Sequence, residues 1–176
     1  MDETTNDQKA RHAKKRSSAV PAELWHVSEQ LKEPGDEIAV GRWGARVLES
    51  GRNHPSFFRE QLLELSRVTW AKEAVSRLAC TFAFEDLETA HQHRQAGEFL
   101  YSVVPTSWEP STRVDMLWIS FVGVPRAPEV IQEWCIKYWS GTGTNEVGST
   151  AVPMWEWLFA GPLIVKERVV PPLGLE

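Results

Sequence analysis

Two short apolar segments, near opposite ends of the chain, each carry one ionisable side chain. The first is Leu24–Ser28, which contains His26, and the second is Trp155–Phe159, which contains Glu156. Short runs rich in aromatic and branched residues predict strands. A carboxylate inside such a run is costly to bury without a partner or a function. The alternatives for these two groups are a histidine satisfied within its strand and an edge-strand glutamate that faces water.

The apolar pattern predicts both strands and helices. Strands are predicted at 23–28, 38–40, 78–84, 99–104, 114–124, 155–159 and 163–169. Helices are predicted at 57–74, after an N-cap at Asp86, and at 127–139. The stretch 41–51 contains three glycines and is predicted to be partly irregular, and 141–152 is predicted to be a loop. Because the helices and strands do not alternate regularly, the predicted fold class is α+β.

The chain has 176 residues, which fits one domain. We expect that domain at 21–170, between a flexible basic segment at 1–20 and a tail at 171–176. The first sixteen residues carry five Lys and Arg against three acidic residues, although the formal net charge of the chain is −5. A basic segment could touch nucleic acid or another acidic partner, or it could be solvated and disordered. The acidic remainder argues against a broad nucleic-acid-binding face.

Several classes of protein are disfavoured by composition. The two cysteines, Cys80 and Cys135, lie in apolar contexts and are predicted to be buried thiols. The spacing of His and Cys predicts no metal site. The chain lacks both an apolar run that could span a bilayer and the apolar stretch of a signal peptide, so we expect a cytoplasmic protein without a membrane. The nine tryptophans would pack the core or offer stacking surfaces to a planar ligand.

A third segment joins an aromatic strand to a helix. Phe82 and Phe84 share one face of the predicted strand, and His93 follows on the helix. Arg77 precedes the strand, and its guanidinium could pair with phosphate oxygens or remain solvated. The two phenylalanines could equally be core residues.

Taken in order, these three segments resemble the ADP-ribosyltransferase fold. The branch they resemble is the diphtheria-toxin and poly-ADP-ribose-polymerase type, whose signature is His, then Tyr, then Glu. The resemblance covers most of 24–169 and rests on the segments 25–38, 76–93 and 154–165. It implies a split, mixed β-sheet with flanking helices, and NAD as the dinucleotide that is bound.

The resemblance also implies roles for particular residues. The catalytic residues would be Glu156 and His26, with Glu156 as the carboxylate and His26 bonded to a ribose hydroxyl of NAD. Phe82 and His93 stand where the toxin branch has two tyrosines that sandwich the nicotinamide ring, and Phe84 could replace Phe82 if the register differs by one pleat. The full set of implied NAD-binding residues is His26, Ser28, Arg77, Phe82, Phe84 and His93.

The implied function is cleavage of the nicotinamide–ribose bond of NAD and transfer of ADP-ribose to a macromolecular acceptor, either protein or nucleic acid. Small members of this fold are often toxins, phage effectors or defence proteins, so an antitoxin or immunity protein could be a partner. One alternative is a catalytically silent NAD- or partner-binding module of the same fold. Another is an unrelated tryptophan-rich interaction module. A nucleic-acid-reading domain fits the acidic remainder less well.

Overall fold

Apolar runs bounded by turn residues form the strands, and runs with helical periodicity form most helices. The computed structural model describes residues 21–170, so the expectations for 1–20 and 171–176 lie outside the described residues. The strands are β1 (Leu24–Ser28), β2 (Glu37–Ile38), β3 (Thr81–Phe84), β4 (Phe99–Pro105), β5 (Ser111–Asp115), β6 (Trp155–Phe159) and β7 (Leu163–Val170). The α-helices are α1 (Arg42–Ser50), α2 (Phe57–Trp70), α3 (Leu87–His93), α4 (Leu117–Val122) and α5 (Pro128–Trp139). The predicted α+β class is confirmed.

The strands form one sheet in the order β2-β7-β4-β1-β3-β6-β5. Every pairing is antiparallel, so the expectation of a mixed sheet is wrong. The sheet is weakest between β1 and β3, which share the single pair Trp25–Phe84, whereas β1 shares five pairs with β4 and β3 shares four with β6. The expected split of the sheet is therefore present only as this narrow junction within one continuous sheet.

The prediction of irregular chain at 41–51 is wrong, because the glycines shape a helix instead of breaking it. Gly41 and Gly51 flank α1 with φ of 75° and 53°, in the left-handed region that favours glycine. Gly44 lies inside the helix, and a Cβ there would be 1.9 Å from the carbonyl oxygen of Leu78. The absence of a side chain lets α1 lie directly against the turn at 77–79.

The predicted strand at 114–124 is also wrong, because β5 ends at Asp115 and α4 follows at once. The carboxylate of Asp115 is fully buried and accepts three backbone N–H bonds, from Leu117 at 3.0 Å, Thr144 at 2.8 Å and Met154 at 3.0 Å. This cap starts the helix and holds two later segments against it. An apolar run of this length does not by itself distinguish a strand from a helix.

Helix α2 packs one face on the core, where Leu63 is fully buried and its carbonyl oxygen accepts a 2.9 Å hydrogen bond from the indole of Trp139 on α5. Its outer face exposes apolar side chains, with Phe58 68% exposed and Leu65 63% exposed. Cys80 and Cys135 are free and buried, as predicted. Within 21–170, no helix is both long enough and apolar enough to cross a membrane.

Candidate functional site

A cavity of about 820 Å³ opens where β1 and β3 stop pairing. Its walls come from β1, β3, β6, the helices α1, α2 and α4, and the turn at 77–79. The seven residues singled out in the sequence all line this cavity: His26, Ser28, Arg77, Phe82, Phe84, His93 and Glu156. The structure thus brings together side chains that are far apart in the sequence, and the molecule they bind there stays a prediction.

His26 lies beside the junction, and its ring nitrogen Nδ1 is 2.7 Å from the carbonyl oxygen of Phe82. A carbonyl oxygen only accepts hydrogen bonds, so Nδ1 carries the proton and donates. Burial, with smaller effects from Arg42 and Lys32, lowers the pKa of His26 to about 4, even though the bond to Phe82 raises it. The ring is therefore neutral at pH 7, and its Nε2 is left as an acceptor for a hydroxyl group.

Glu156 is the second residue of β6, a strand that lies between β3 and β5. It is 3% exposed, so the alternative of an edge-strand glutamate facing water is wrong. Its Oε2 accepts a 2.8 Å hydrogen bond from Nη1 of Arg77. Among the described residues, no group is hydrogen-bonded to its Oε1, and this oxygen is not completely buried. One carboxylate oxygen is thus anchored and the other is open to the cavity.

Arg77 is 6% exposed, which rules out the solvated alternative, and its guanidinium is the centre of a buried network. Its Nε donates to Glu60 at 3.0 Å, and its Nη1 donates to both Glu156 and the hydroxyl of Tyr138, each at 2.8 Å. The guanidinium also lies 4.8 Å from the centre of the Phe82 ring. These bonds use Nε and Nη1 and make Arg77 a positioning residue for Glu156. A bond from its Nη2 to a pyrophosphate stays a prediction.

Opposing effects act on the acidity of this network. Burial raises the pKa of Glu156, and the positive charge of Arg77 offsets part of that rise. Burial disfavours the charged form of Arg77, but Tyr138, Glu60 and Glu156 together hold its pKa well above the ordinary value. Two carboxylates share one guanidinium in this network, so its formal charge is negative when both are ionised.

Glu60 is the residue that sequence reasoning missed in this network. It lies on α2, where it is 1% exposed. Its position three residues before the buried Leu63 places it on the inner face of the helix. A charged residue on the same helix face as an apolar residue predicts a buried charge. The pattern does not indicate that its partner is Arg77.

The aromatic residues pair differently from the expectation. The rings of Phe84 and His93 stack with centres 5.1 Å apart and planes inclined by 5°. A third ring inserted between two parallel rings needs about 7 Å, twice the contact distance of carbon atoms. No ring therefore fits between Phe84 and His93, and Phe82 lies against the guanidinium of Arg77. The sandwich of a nicotinamide ring by Phe82 and His93 stays a prediction.

His93 lines the cavity and carries a polar atom just beneath the wall. Its Nε2 is buried and has no hydrogen-bond partner within the described part of the chain. Burial lowers the pKa of His93, so the neutral ring is favoured. Buried polar atoms are normally paired, and an unpaired one beside a cavity is a candidate for contact with a ligand.

The two tryptophans beside Glu156 are held from outside the cavity. The guanidinium of Arg113 on β5 lies 3.5 Å from the centre of the Trp155 ring, and the indole N–H of Trp157 donates to Glu85 at 2.6 Å. Arg113 and Glu85 also form an ion pair, which closes the cluster. These contacts fix the strand around Glu156.

Other residues of the cavity wall carry positive charge and were not predicted. Arg42 and Arg46 on α1 and Arg59 on α2 all line the cavity, and Trp43 lies between them. Nothing in the local sequence marks them, since charged residues on helices are usually solvated.

A scan against protein-family models and a search of curated proteins both found no match to this chain.

Proposed function

We propose that this protein is an NAD-dependent ADP-ribosyltransferase that transfers ADP-ribose to a macromolecular acceptor. The observation that supports the proposal most is the convergence of three separate segments on one cavity. His26 comes from β1, the Phe84–His93 stack from β3 and α3, and Glu156 from β6. The order of a histidine, an aromatic strand-to-helix segment and a glutamate is that of the family that the sequence resembles, although Phe and His stand where that family has Tyr.

The cavity fits a dinucleotide in size and in polar groups. Its volume of about 820 Å³ lies in the usual range for small-molecule sites. Its wall offers acceptors at Nε2 of His26 and Oε1 of Glu156, and arginine donors on the α1 and α2 side. A molecule with ribose hydroxyls and a diphosphate would use both kinds of group.

Cleavage of the nicotinamide–ribose bond breaks the C–N bond, and its electron pair leaves with nicotinamide. Positive charge then develops on the ribose, and a carboxylate nearby stabilises that charge. Glu156 supplies the carboxylate through its open Oε1. The acceptor's nucleophile forms the new bond to the ribose carbon, and Glu156 can take the proton that this nucleophile loses.

The other residues position the reacting groups. His26 accepts a hydrogen bond from a ribose hydroxyl at Nε2, since Nδ1 is fixed by the carbonyl oxygen of Phe82. Arg77 keeps Glu156 in one orientation and favours its ionised form. The exposed face of the Phe84–His93 stack offers a flat surface to the nicotinamide ring.

The test is incubation of the protein and a cell lysate with NAD labelled on its adenylate phosphate. We expect release of nicotinamide and incorporation of label into protein or nucleic acid. An excess of unlabelled ADP-ribose serves as the control, because free ADP-ribose can attach to amines without an enzyme. Absence of nicotinamide release would overturn the proposal, whether or not NAD binds. The cytoplasmic location and an antitoxin or immunity partner are part of the same proposal.

A second candidate is an NAD- or partner-binding module that does not cleave NAD. The close stack of Phe84 on His93 favours it, because it leaves no slot between the two rings for nicotinamide. Tryptophan fluorescence would report binding of NAD, and release of nicotinamide would be followed in parallel. Binding without release identifies the silent module, whereas release identifies the enzyme.

A further inference from the structure

The arginines that line the cavity differ in how their charge is compensated. Arg46 donates to both oxygens of Glu29, and Arg77 is paired with Glu60 and Glu156. Within residues 21–170, no carboxylate is hydrogen-bonded to the other two arginines. Arg42 donates to the neutral amide oxygen of Gln30 at 2.7 Å, and Arg59 donates to the hydroxyl of Ser56 at 2.8 Å.

Arg59 is the less satisfied of these two guanidinium groups. Its Nε is buried without a hydrogen-bond partner in the described residues, and only Nη2 makes a hydrogen bond, to Ser56. The nearest carboxylate oxygen is Oε1 of Glu60, 3.7 Å from Nη2, which is too far for a hydrogen bond. Burial lowers the pKa of Arg59, and the nearby charge of Glu60 offsets part of that effect.

Trp43 adds a second unpaired donor to the same wall. Its indole Nε1 is buried and has no partner within 21–170. The Trp43 ring lies edge-on to His54, with centres 5.1 Å apart. His54 accepts from the backbone N–H of Ser56, and Ser56 accepts from Arg59. The side chains of Trp43 and Arg59 are therefore linked through His54 and Ser56 into one group between α1 and α2.

We infer that Arg59, with Arg42 and Trp43, forms a subsite for the diphosphate of a nucleotide. Guanidinium and indole groups only donate hydrogen bonds, so the ligand they fit is rich in acceptors. Arg42 has no carboxylate partner among the described residues, and its positive charge favours an anion. Glu49 and Glu98 also line the cavity, which disfavours a second anionic group near them. The identification of the ligand as NAD rests on the proposed function. The subsite itself rests on the donors described above.

The test compares ADP with adenosine, which lacks the phosphates. Binding is measured by calorimetry for the wild-type protein and for Arg59→Gln, Arg59→Lys and Trp43→Phe. We expect ADP to bind the wild type more tightly than adenosine, and Arg59→Gln to lose ADP affinity about 10- to 100-fold. Adenosine affinity stays unchanged, and Arg59→Lys retains part of the ADP affinity. Arg126→Gln, at an exposed position outside the cavity, is the matched control.

Each failure has a distinct meaning. Equal ADP affinity in the wild type and Arg59→Gln overturns the subsite and leaves the transferase proposal intact. ADP binding no tighter than that of adenosine to the wild type also overturns it. If Arg59→Gln does not fold, Trp43→Phe decides, because it removes one donor and keeps the ring: unchanged ADP affinity there overturns the subsite. A wild type that binds ADP through Arg59 but neither binds nor cleaves NAD supports the subsite and overturns the transferase.

Discussion

Arg77 donates to Glu156 over 2.8 Å and to Glu60 over 3.0 Å, so one buried cation joins the sheet to helix α2. The contact has two consequences. It compensates carboxylates that could not be buried alone, and it leaves Oε1 of Glu156 directed at the cavity in a fixed orientation. The same interaction therefore links the stability of the fold to the geometry of the candidate site.

Replacement of Arg77 should strongly lower the stability of the fold. We expect Arg77→Met to lower the free energy of unfolding by about 3–5 kcal/mol, because it leaves two buried carboxylates without their partner. Chemical denaturation at pH 7 measures the change. Arg46→Met, which breaks an exposed ion pair with Glu29, is the control and should cost about 0–1 kcal/mol. Equal costs in the two variants would contradict the central place of Arg77.

Neutralising Glu156 should separate activity from folding. We expect Glu156→Gln to reduce ADP-ribosyl transfer by about 100- to 1,000-fold, since it removes the charge that stabilises the cationic ribose. The fold should persist, because Arg77 keeps Glu60 and Tyr138 as partners. Nicotinamide release and the melting temperature are measured together, with the exposed Glu167→Gln as control. Wild-type transfer by Glu156→Gln would remove this residue from the mechanism.

His26 should make the protein sensitive to mild acid. Its pKa is about 4 in the folded state and near 6.5 in the unfolded chain, so the unfolded state binds a proton first as pH falls. The neutral ring contributes its full stability above pH 6.5, and that contribution declines as pH falls from 6.5 to 4, by roughly 3 kcal/mol at most. Denaturation at pH 7 and pH 4.5 should show a larger loss for the wild type than for His26→Gln. Identical losses would show that His26 is not held neutral.

Gly44 should tolerate no side chain. A methyl group there would lie 1.9 Å from the carbonyl oxygen of Leu78, which is backbone and cannot swing aside. We expect Gly44→Ala to cost about 1–3 kcal/mol or more, as in other overpacked sites. Gly123→Ala is the control, since its nearest atom is 3.7 Å away and its φ of −75° suits alanine. Thermal unfolding of both variants distinguishes a close approach from a general glycine effect.

Local patterns predicted the elements whose chemistry is local. The strand at 155–159 follows from a short apolar run rich in aromatic residues. The N-cap at Asp86 follows from capping preference, and the helix ending at Trp139 from a glycine stop. Helix α4 was missed because its start depends on Asp115, whose carboxylate also binds backbone groups far along the chain. Contacts of that kind leave no periodic signal.

The candidate site was predictable as a set of residues but not as an arrangement. A carboxylate in an apolar strand is costly to bury, and an aromatic strand that leads into a helix is unusual. Both features therefore indicate candidate site residues. The partner of each group depends on packing, so the sequence did not indicate that Arg77 hydrogen-bonds to Glu60, Tyr138 and Glu156. Arg59 and Trp43 gave no signal, because their unsatisfied donors exist only in the folded protein.

The narrow junction between β1 and β3 gives His26 a double role. One backbone pair and one imidazole join the two halves of the sheet at this point. A molecule that hydrogen-bonded to Nε2 of that imidazole and to Glu156 would connect the two halves of the sheet. It would take the place of the backbone hydrogen bonds that β1 and β3 do not form there. A bound molecule would then stabilise the whole sheet. Hydrogen exchange would show this as slower amide exchange in strands that the molecule does not contact.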